Sequence, residues 1–430
     1  KAQLKKLLDN SASSIAKQTK GIQPIFHIEA LTGAAIEGAT VFPSAIGLGA
    51  TFDPELVQEV AEVIHDQVKE VGYKQVLCPV LDVCRDPRWG RIGETYSEDP
   101  TLCAMLGTAY VKGIQGEEKD KIAATGKHFL GYGFSSGGLN MATCMASMNE
   151  IREVYAKPFQ AAITNADMLS VMNSYGTIEG DMVIGSDKIL NDLLRDEMEF
   201  KGIVVSDYAS IDHLVDHRVC SDMEEAGILA LKAGLDVECP VPIGYNTESL
   251  IKCVKNGTLS EEVINQSVER ILKIKEQLGL LDEPADKCTE FASYFSDKAY
   301  DTSLKAAYKS IVLLKNDGIL PLKKQKQKIA VFGSHADSIR LLFGCYTYAA
   351  GLDMMLGGSF ADQPGMETTV DSLTEATMKV KKGTPKYQNS NVEKDNPVAI
   401  SAVEKSYPNT KSILNLLKEK NPEADFQYLK

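Results

Sequence analysis

The chain has 430 residues, of which 44% are hydrophobic and 24% charged, a composition typical of a folded globular protein rather than a disordered or fibrous one. Single hydrophobic cores stop growing near about 250–300 residues, so the length predicts two or three domains. The formal charge of −13 argues against nucleic-acid binding, because that binding depends on Lys and Arg neutralising phosphates. No apolar run approaches the roughly 18 residues needed to cross a bilayer, so we expect no membrane partner.

The nine cysteines show neither the spacing of a disulfide framework nor that of a zinc site. We therefore expect buried free thiols, no metal and no cofactor. The opening segment KAQLKKLLDNSASS lacks the apolar core of a signal peptide, which favours a cytoplasmic location and leaves secretion of a processed chain open.

Apolar strand-like runs alternate with amphipathic helical stretches from about Phe42 onwards, as in βα units around a parallel sheet. The clearest helix begins after the N-cap Asp53, has Pro54 in its first turn and ends at Gly72. Five buried strands are predicted between residues 76 and 240, in the runs VLCPVLDV, IAATGKHF, MLSVMNSY, GIVVSDY and LDVEC. We therefore predict an α/β fold with a (β/α)₈-like TIM barrel over residues 1–281, whose functional groups gather at the carboxyl ends of the strands.

The remaining chain predicts a second α/β unit. Composition turns polar over residues 282–327, which we interpret as a linker. The run KIAVFGSH then opens a second unit over 328–430, with a helix near Ser412–Lys420 and a final strand DFQYL. This length fits only the N-terminal part of an αβα sandwich, so we expect a partial domain that a companion chain or a second copy would complete.

Polar side chains follow several of the predicted strands. The loop PVLDVCRDPRWGRIGETYSEDP contains Arg85 nearest the strand end, and we take Arg85 as the better functional candidate of this loop, because a planar arginine fork suits carboxylates or vicinal hydroxyls. Arg88, Arg91 and Glu94 fit a structural ion-pair network equally well.

Other strand ends add further candidates. Lys127 and His128 follow the strand of ATGKHFLGYG, Glu29 lies in FHIEALTG, and Tyr175 lies in VMNSYG. Asp207 follows the strand KGIVV and would point into the mouth of the barrel, where carboxylates suit glycoside hydrolysis. Capping of the next helix is the alternative role for Asp207.

Three motifs in this order resemble glycoside hydrolase family 3, the β-glucosidase and β-xylosidase group: CRDPRWGRIGETYSEDP, GKHFLGYG and GIVVSDY. The likeness extends over roughly residues 20–345. It implies a (β/α)₈-like barrel followed by an αβα sandwich, and the first barrel strand has no counterpart before FHIEALTG. The Asp-x-His pair of the branch that acts on N-acetylglucosaminides is absent from GYGFSSGGLN, which argues against that branch.

The resemblance also implies a mechanism. By motif match Asp207 is the nucleophile of a retaining double displacement, and Glu29, Arg85, Lys127, His128 and Tyr175 hold the sugar. We expect the charges of Arg85 and Lys127 to keep Asp207 ionised.

The acid/base of this branch lies in a Gly-Glu-Gly-like loop of the second domain that has no convincing counterpart here, since Glu367 and Glu393 match no family motif. The predicted function is therefore exo-acting release of terminal β-linked glucose or xylose, with the acid/base outside the chain. A non-catalytic sugar-binding scaffold is the alternative.

Overall fold

The structure is a computed structural model that describes residues 2–281, 296–357 and 397–430. In chain order its regular elements are α1 (Ala2–Gln18), β1 (His27–Ile28), α2 (Ala45–Gly49), α3 (Pro54–Val71), β2 (Gln75–Val76), α4 (Pro100–Gln115), β3 (Ala123–Phe129), α5 (Met148–Glu150), α6 (Lys157–Ala166), β4 (Ser170–Asn173), β5 (Thr177–Ile178), β6 (Asp181–Met182), β7 (Ile203–Val205), α7 (Ser210–Asp216), α8 (Met223–Ala233), α9 (Thr247–Lys255), α10 (Glu261–Gln277), α11 (Asp297–Ser310), β8 (Lys328–Phe332), α12 (Tyr348–Gly357), α13 (Pro397–Ser406), α14 (Ile413–Lys420) and β9 (Asp425–Leu429). Two π-helical segments cover Ile151–Tyr155 and Lys188–Glu197.

Local signals explain why α3 begins and ends where it does. The Asp53 carboxylate accepts the backbone N–H of Leu56 at 3.0 Å, and Pro54 occupies the first turn. Gly72 ends the helix with a φ of 100°, a conformation that side chains with a Cβ rarely adopt. The predicted helix is confirmed.

The centre of the first region is a parallel sheet whose strand order, β1-β2-β3-β4-β7, follows the chain. Alternate residues of a strand point to opposite faces of the sheet, and here both sets are apolar. Val76, Val171 and Val204 belong to the large core beneath the surrounding helices, whereas their neighbours Met172 and Val205 pack on the other side with α10. This pattern of parallel βα units is the one predicted for a barrel.

Two of the predicted strands are shorter than expected. Only Val76 of the run VLCPVLDV lies in a strand, at the end of β2. Pro79 has no N–H for the ladder, and the run pairs again as a bridge between Val80 and Lys127. The run LDVEC contributes a single bridge from Val237 to Val205. Beside this bridge, the Asp236 carboxylate accepts a hydrogen bond from the backbone N–H of Val204.

The second region pairs β8 with β9 in parallel. It contacts the first region through hydrogen bonds from Tyr407 to the Ala39 carbonyl and from Thr32 to the Cys345 carbonyl. Helix α11 lies within the stretch predicted as a linker, and its Lys305 pairs with Glu59 of α3. The domain boundaries stay a prediction.

Two further features concern the described residues alone. The cysteines there are free thiols and are buried, apart from the exposed Cys345. None of the described helices combines the length and apolar character that a membrane span requires.

Candidate active site

Charged groups from four strand ends converge at one edge of the parallel sheet, since carboxyl ends of parallel strands lie on the same side. Lys127 and His128 belong to β3, Glu29 directly follows β1, and Asp207 lies two residues beyond β7. The segment after β2 adds Asp82 and Arg91.

Two hydrogen bonds, one from the backbone of Asp207 and one to its side chain, fix this residue at the carboxyl end of β7. Its N–H donates to the Asn173 side-chain oxygen at 3.2 Å, and its Oδ1 accepts the N–H of Tyr208 at 2.8 Å. Helix α7 begins only at Ser210, after the N-cap Ala209, and no side chain caps it. Asp207 therefore does not cap the next helix, and 15% of its side chain stays exposed.

Lys127 and Glu29 form a close ion pair beside this carboxylate. The Nζ atom of Lys127 lies 3.1 Å and 3.0 Å from the two carboxylate oxygens of Glu29. The Lys127 side chain is buried, and the ring of Tyr346 covers its ammonium at 4.7 Å from the ring centroid. Burial would lower the pKa of Lys127, but the charge of Glu29 leaves that pKa above its usual value.

His128 is buried between Asp82 and Arg91. Its Nδ1 lies 2.8 Å from Asp82 Oδ2, and its Nε2 lies 2.9 Å from Arg91 Nη2. The same Nε2 is 3.7 Å from Asp207 Oδ2, beyond hydrogen-bonding distance. Burial first, and then the charges of Arg91 and Lys127, hold the pKa of His128 well below its ordinary value, so the imidazole is neutral.

Arg91, and not Arg85, is the arginine of this cluster. Its guanidinium binds Glu94 with two bonds of 2.9 Å and 2.7 Å, and it donates to the Tyr346 hydroxyl at 3.0 Å. Arg85 is exposed on the outer side of the loop, where its Nε donates to the Glu98 carbonyl at 3.2 Å. Residues 87–91, between the two arginines, form turns. Arg85 therefore lies outside the cluster, although it is closer than Arg91 to the strand end along the chain.

Tyr175 lies behind Asp207 and is buried. Its hydroxyl donates to the Tyr208 carbonyl at 2.8 Å, and its ring meets Tyr132 and His213 edge to face. Of the candidates from the sequence, the structure thus brings together Glu29, Lys127, His128, Tyr175 and Asp207, and leaves Arg85 apart.

The charge state of Asp207 reflects two opposing effects. Burial raises the pKa of its carboxyl, while Arg91, Lys127 and the Tyr175 hydroxyl lower it, and the net direction is upward. Lys127 lowers the pKa of Asp207 as expected, but the second cation is Arg91 rather than Arg85, and burial has the larger effect. Asp207 takes up a proton at a higher pH than an ordinary aspartate does.

Three residues of the cluster were missed or left open from sequence. Asp82 is the one charge in the apolar run VLCPVLDV, which was the available signal. Arg91 fitted a structural ion pair, and it does make one with Glu94. Tyr346 comes from 255 positions away along the chain, and no local pattern marks it.

No group of three or more His, Cys, Asp or Glu side chains able to hold a metal occurs among the residues that the structure describes. The arrangement instead offers a partly exposed carboxylate beside fixed cations and hydrogen-bond donors. Such a site can bind hydroxyl groups and stabilise charge that changes during a reaction.

Comparison with known families decides the relationship. The family model described as glycosyl hydrolase family 3 N terminal domain matches residues 1–274, and the one described as glycosyl hydrolase family 3 C-terminal domain matches residues 311–423. This chain belongs to glycosyl hydrolase family 3. The resemblance seen in the sequence is thereby confirmed, as is the α/β fold with a barrel-like first domain.

Family 3 relatives cover most of this chain. A beta-xylosidase of Formosa agariphila is 34% identical over 391 residues, which are 86% of this chain and 53% of the relative. The crystal structure of a beta-glucosidase from Listeria innocua aligns with a TM-score of 0.73 at 31% identity, covering 78% of this chain and 47% of that one. An exo-1,3/1,4-beta-glucanase from a Pseudoalteromonas species aligns over 99% of this chain and 49% of its own, with a TM-score of 0.77 and 26% identity. The chain thus spans about half the length of these family 3 proteins.

Proposed function

We propose that this chain carries the nucleophile and the sugar-binding groups of a retaining, exo-acting β-glycosidase that releases terminal β-linked glucose or xylose. One observation carries the proposal: the Asp207 carboxylate is partly exposed at the mouth of β7, with Lys127, His128 and Arg91 beside it. A carboxylate used only for folding would have its oxygens enclosed by partners.

In the proposed first step, one carboxylate oxygen of Asp207 attacks the anomeric carbon. The C–O bond to the leaving group breaks, and its electron pair departs with the leaving oxygen. The product is a glycosyl ester of Asp207, which water then hydrolyses to regenerate the carboxylate and release the sugar with retained configuration. Arg91 and Lys127 favour the ionised carboxylate that this attack requires.

The sugar is held by donors and acceptors around Asp207. The Glu29–Lys127 pair offers a carboxylate and an ammonium to adjacent hydroxyls, and Tyr175 and His128 limit the space behind the ring. Hydrogen bonds from charged donors strengthen as the oxocarbenium-like transition state forms. The family members compared above include both a beta-xylosidase and a beta-glucosidase, so both sugars stay within the proposal.

The acid/base is proposed to come from outside this chain, in a second domain completed by a companion chain or a second copy. Glu367 and Glu393, the two acidic residues considered from sequence, lie outside the described residues. General acid catalysis contributes roughly 10²- to 10⁴-fold, so natural glycosides would react slowly without it.

The test uses substrates whose leaving group needs no proton. We expect the chain to release dinitrophenolate from 2,4-dinitrophenyl β-glucoside or β-xyloside, and 2-deoxy-2-fluoro-β-glucosyl fluoride to leave a fluorosugar on the peptide containing Asp207. Asp207→Ala should abolish the adduct and lower turnover by at least about 10⁴-fold. Asp86→Ala is the matched control, because that carboxylate belongs to the same loop as Arg91 but pairs with the exposed Arg88 outside the cluster.

An adduct on another residue, or turnover that survives Asp207→Ala, would refute the assignment. Calorimetric binding of glucose or xylose with neither turnover nor adduct would instead support the sugar-binding scaffold.

A further inference from the structure

A buried carboxylate that the proposed mechanism leaves unused, Asp82, lies directly behind His128. Its side chain is 1% exposed, and its Oδ2 accepts both the backbone N–H of His128 at 3.0 Å and the ring Nδ1 at 2.8 Å. A buried charge is costly unless it is fully hydrogen-bonded, so two bonds to one residue tie Asp82 and His128 into one unit.

These contacts determine which nitrogen of His128 carries the proton. An ionised carboxylate only accepts hydrogen bonds, so Nδ1 must be protonated where it faces Asp82. A guanidinium only donates, so Nε2 must be unprotonated where it faces Arg91 at 2.9 Å. The neutral Nδ1–H tautomer alone satisfies both neighbours.

The orientation of Arg91 depends on this acceptor. Nη2 of Arg91 is shared among His128 Nε2, Glu94 Oε2 at 2.7 Å and the Tyr346 hydroxyl at 3.0 Å. Arg91 in turn is the cation that most strongly lowers the pKa of Asp207. A contact chain therefore leads from Asp82 through His128 and Arg91 to the nucleophile.

We propose that Asp82 is a positioning residue: it locks His128 as the Nδ1–H tautomer, so that Nε2 holds the Arg91 guanidinium beside Asp207. Without the carboxylate, the ring proton of His128 is free to move from Nδ1 to Nε2. The Nε2–H group then repels the Arg91 donor and turns toward Asp207 Oδ2. Arg91 loses one of its anchors, and Asp207 loses part of its stabilising charge.

The surroundings of Asp82 agree with this role. Burial raises the pKa of Asp82 to about 7, against the opposing effects of the His128 backbone N–H and Arg91. The lock therefore weakens as the pH falls through about 7, because Asp82 becomes neutral there. The titratable groups that face Asp82 come from several elements: His128 from β3, Cys103 from α4, Cys84, Arg91 and Glu94 from the loop after β2, and Tyr132 from the segment after β3.

The first experiment reads the tautomer directly. Protein labelled with ¹⁵N-histidine is measured by long-range ¹H–¹⁵N correlation above the pKa of Asp82, and His128 is assigned among the six histidines by its absence in His128→Asn. We expect protonated Nδ1 in the wild type, protonated Nε2 in Asp82→Ala and a mixture in Asp82→Asn. If both variants keep Nδ1–H, the proposal is overturned. Should Asp82→Ala fail to fold, Asp82→Asn preserves the shape and decides alone.

The second experiment uses catalysis and rests on the proposed function. Asp82→Asn should lower kcat/KM for the dinitrophenyl glycosides by about 10- to 100-fold, the usual cost of losing a partner that orients a functional histidine. In the wild type, kcat/KM should fall as the pH drops through about 7, where Asp82 becomes neutral, and this step should be missing in Asp82→Asn, while Lys127, His128, Tyr175, Tyr208 and Glu29 still face Asp207. Asp86→Asn should change neither quantity.

A step near pH 7 that persists in Asp82→Asn would contradict the proposal even if the rate fell. If the wild type neither turns over nor forms an adduct, the proposed function fails, and the tautomer measurement still decides the role of Asp82.

Discussion

Two aspartates at opposite ends of β7 are partnered in opposite ways. At the amino end, Asp236 has a fully enclosed side chain, and its oxygens accept Arg195 at 2.7 Å, the Val204 N–H at 2.8 Å and Arg270 at 2.8 Å. At the carboxyl end, the Oδ1 atom of Asp207 accepts the Tyr208 N–H and its Oδ2 atom lies 3.7 Å from His128 Nε2. The Tyr175 hydroxyl also contacts this carboxylate, and part of the side chain is exposed.

The difference separates a carboxylate that stabilises the fold from one that is available for chemistry. Asp236 ties the helical segment Lys188–Glu197 and helix α10 to the base of the sheet through its two arginines. Asp207 is surrounded by cations but not saturated by them, and burial raises its pKa. The same residue type thus contributes to stability at one end of a strand and retains bonding capacity at the other.

The largest expected effect tests this contrast in stability. Asp236→Ala should lower the free energy of unfolding by roughly 3–5 kcal/mol, because it leaves two largely buried arginines without their counter-charge. Asp207→Asn should change the same quantity by less than about 1 kcal/mol, since a partly exposed and incompletely paired carboxylate gains little from its surroundings. Urea unfolding of both variants provides the measurement. Equal losses of unfolding free energy would show that both carboxylates stabilise the fold alike, and would contradict this contrast.

The next effect compares two arginines of one loop. Arg91→Ala should lower kcat/KM for the dinitrophenyl glycosides by about 10²- to 10³-fold, the usual cost of removing one preorganised charged donor. Arg85→Ala should change it less than about threefold, because the exposed Arg85 bonds only a carbonyl among its described contacts. A larger loss for Arg85 than for Arg91 would restore the assignment made from sequence.

The smallest effect concerns Tyr346, a side chain that the described part of the second region adds to the cluster. Tyr346→Phe removes the hydroxyl that Arg91 contacts but keeps the ring over Lys127. A single hydrogen bond is worth about 1 kcal/mol, so kcat/KM should fall about fivefold. Tyr348→Phe, two residues away on α12, is the matched control. No change in Tyr346→Phe would mean that the second region leaves the function of Arg91 unaffected.

Sequence patterns predicted the features that depend on nearest neighbours along the chain. The helix from Pro54 to Val71 follows from its caps, and the strands β3, β4 and β7 follow from apolar runs bounded by polar residues. Residues at the carboxyl ends of parallel strands lie at the same edge of the sheet, so Asp207 and Lys127 could be placed together without coordinates.

Tertiary structure alone decided which loop and distant residues complete the cluster. Arg85 and Arg91 belong to a loop without a regular period, so neither could be given a direction from its position. Asp82 meets His128 across 46 positions, and Tyr346 meets Arg91 across 255. Such contacts arise from packing between separate elements, and local propensity carries no information about them.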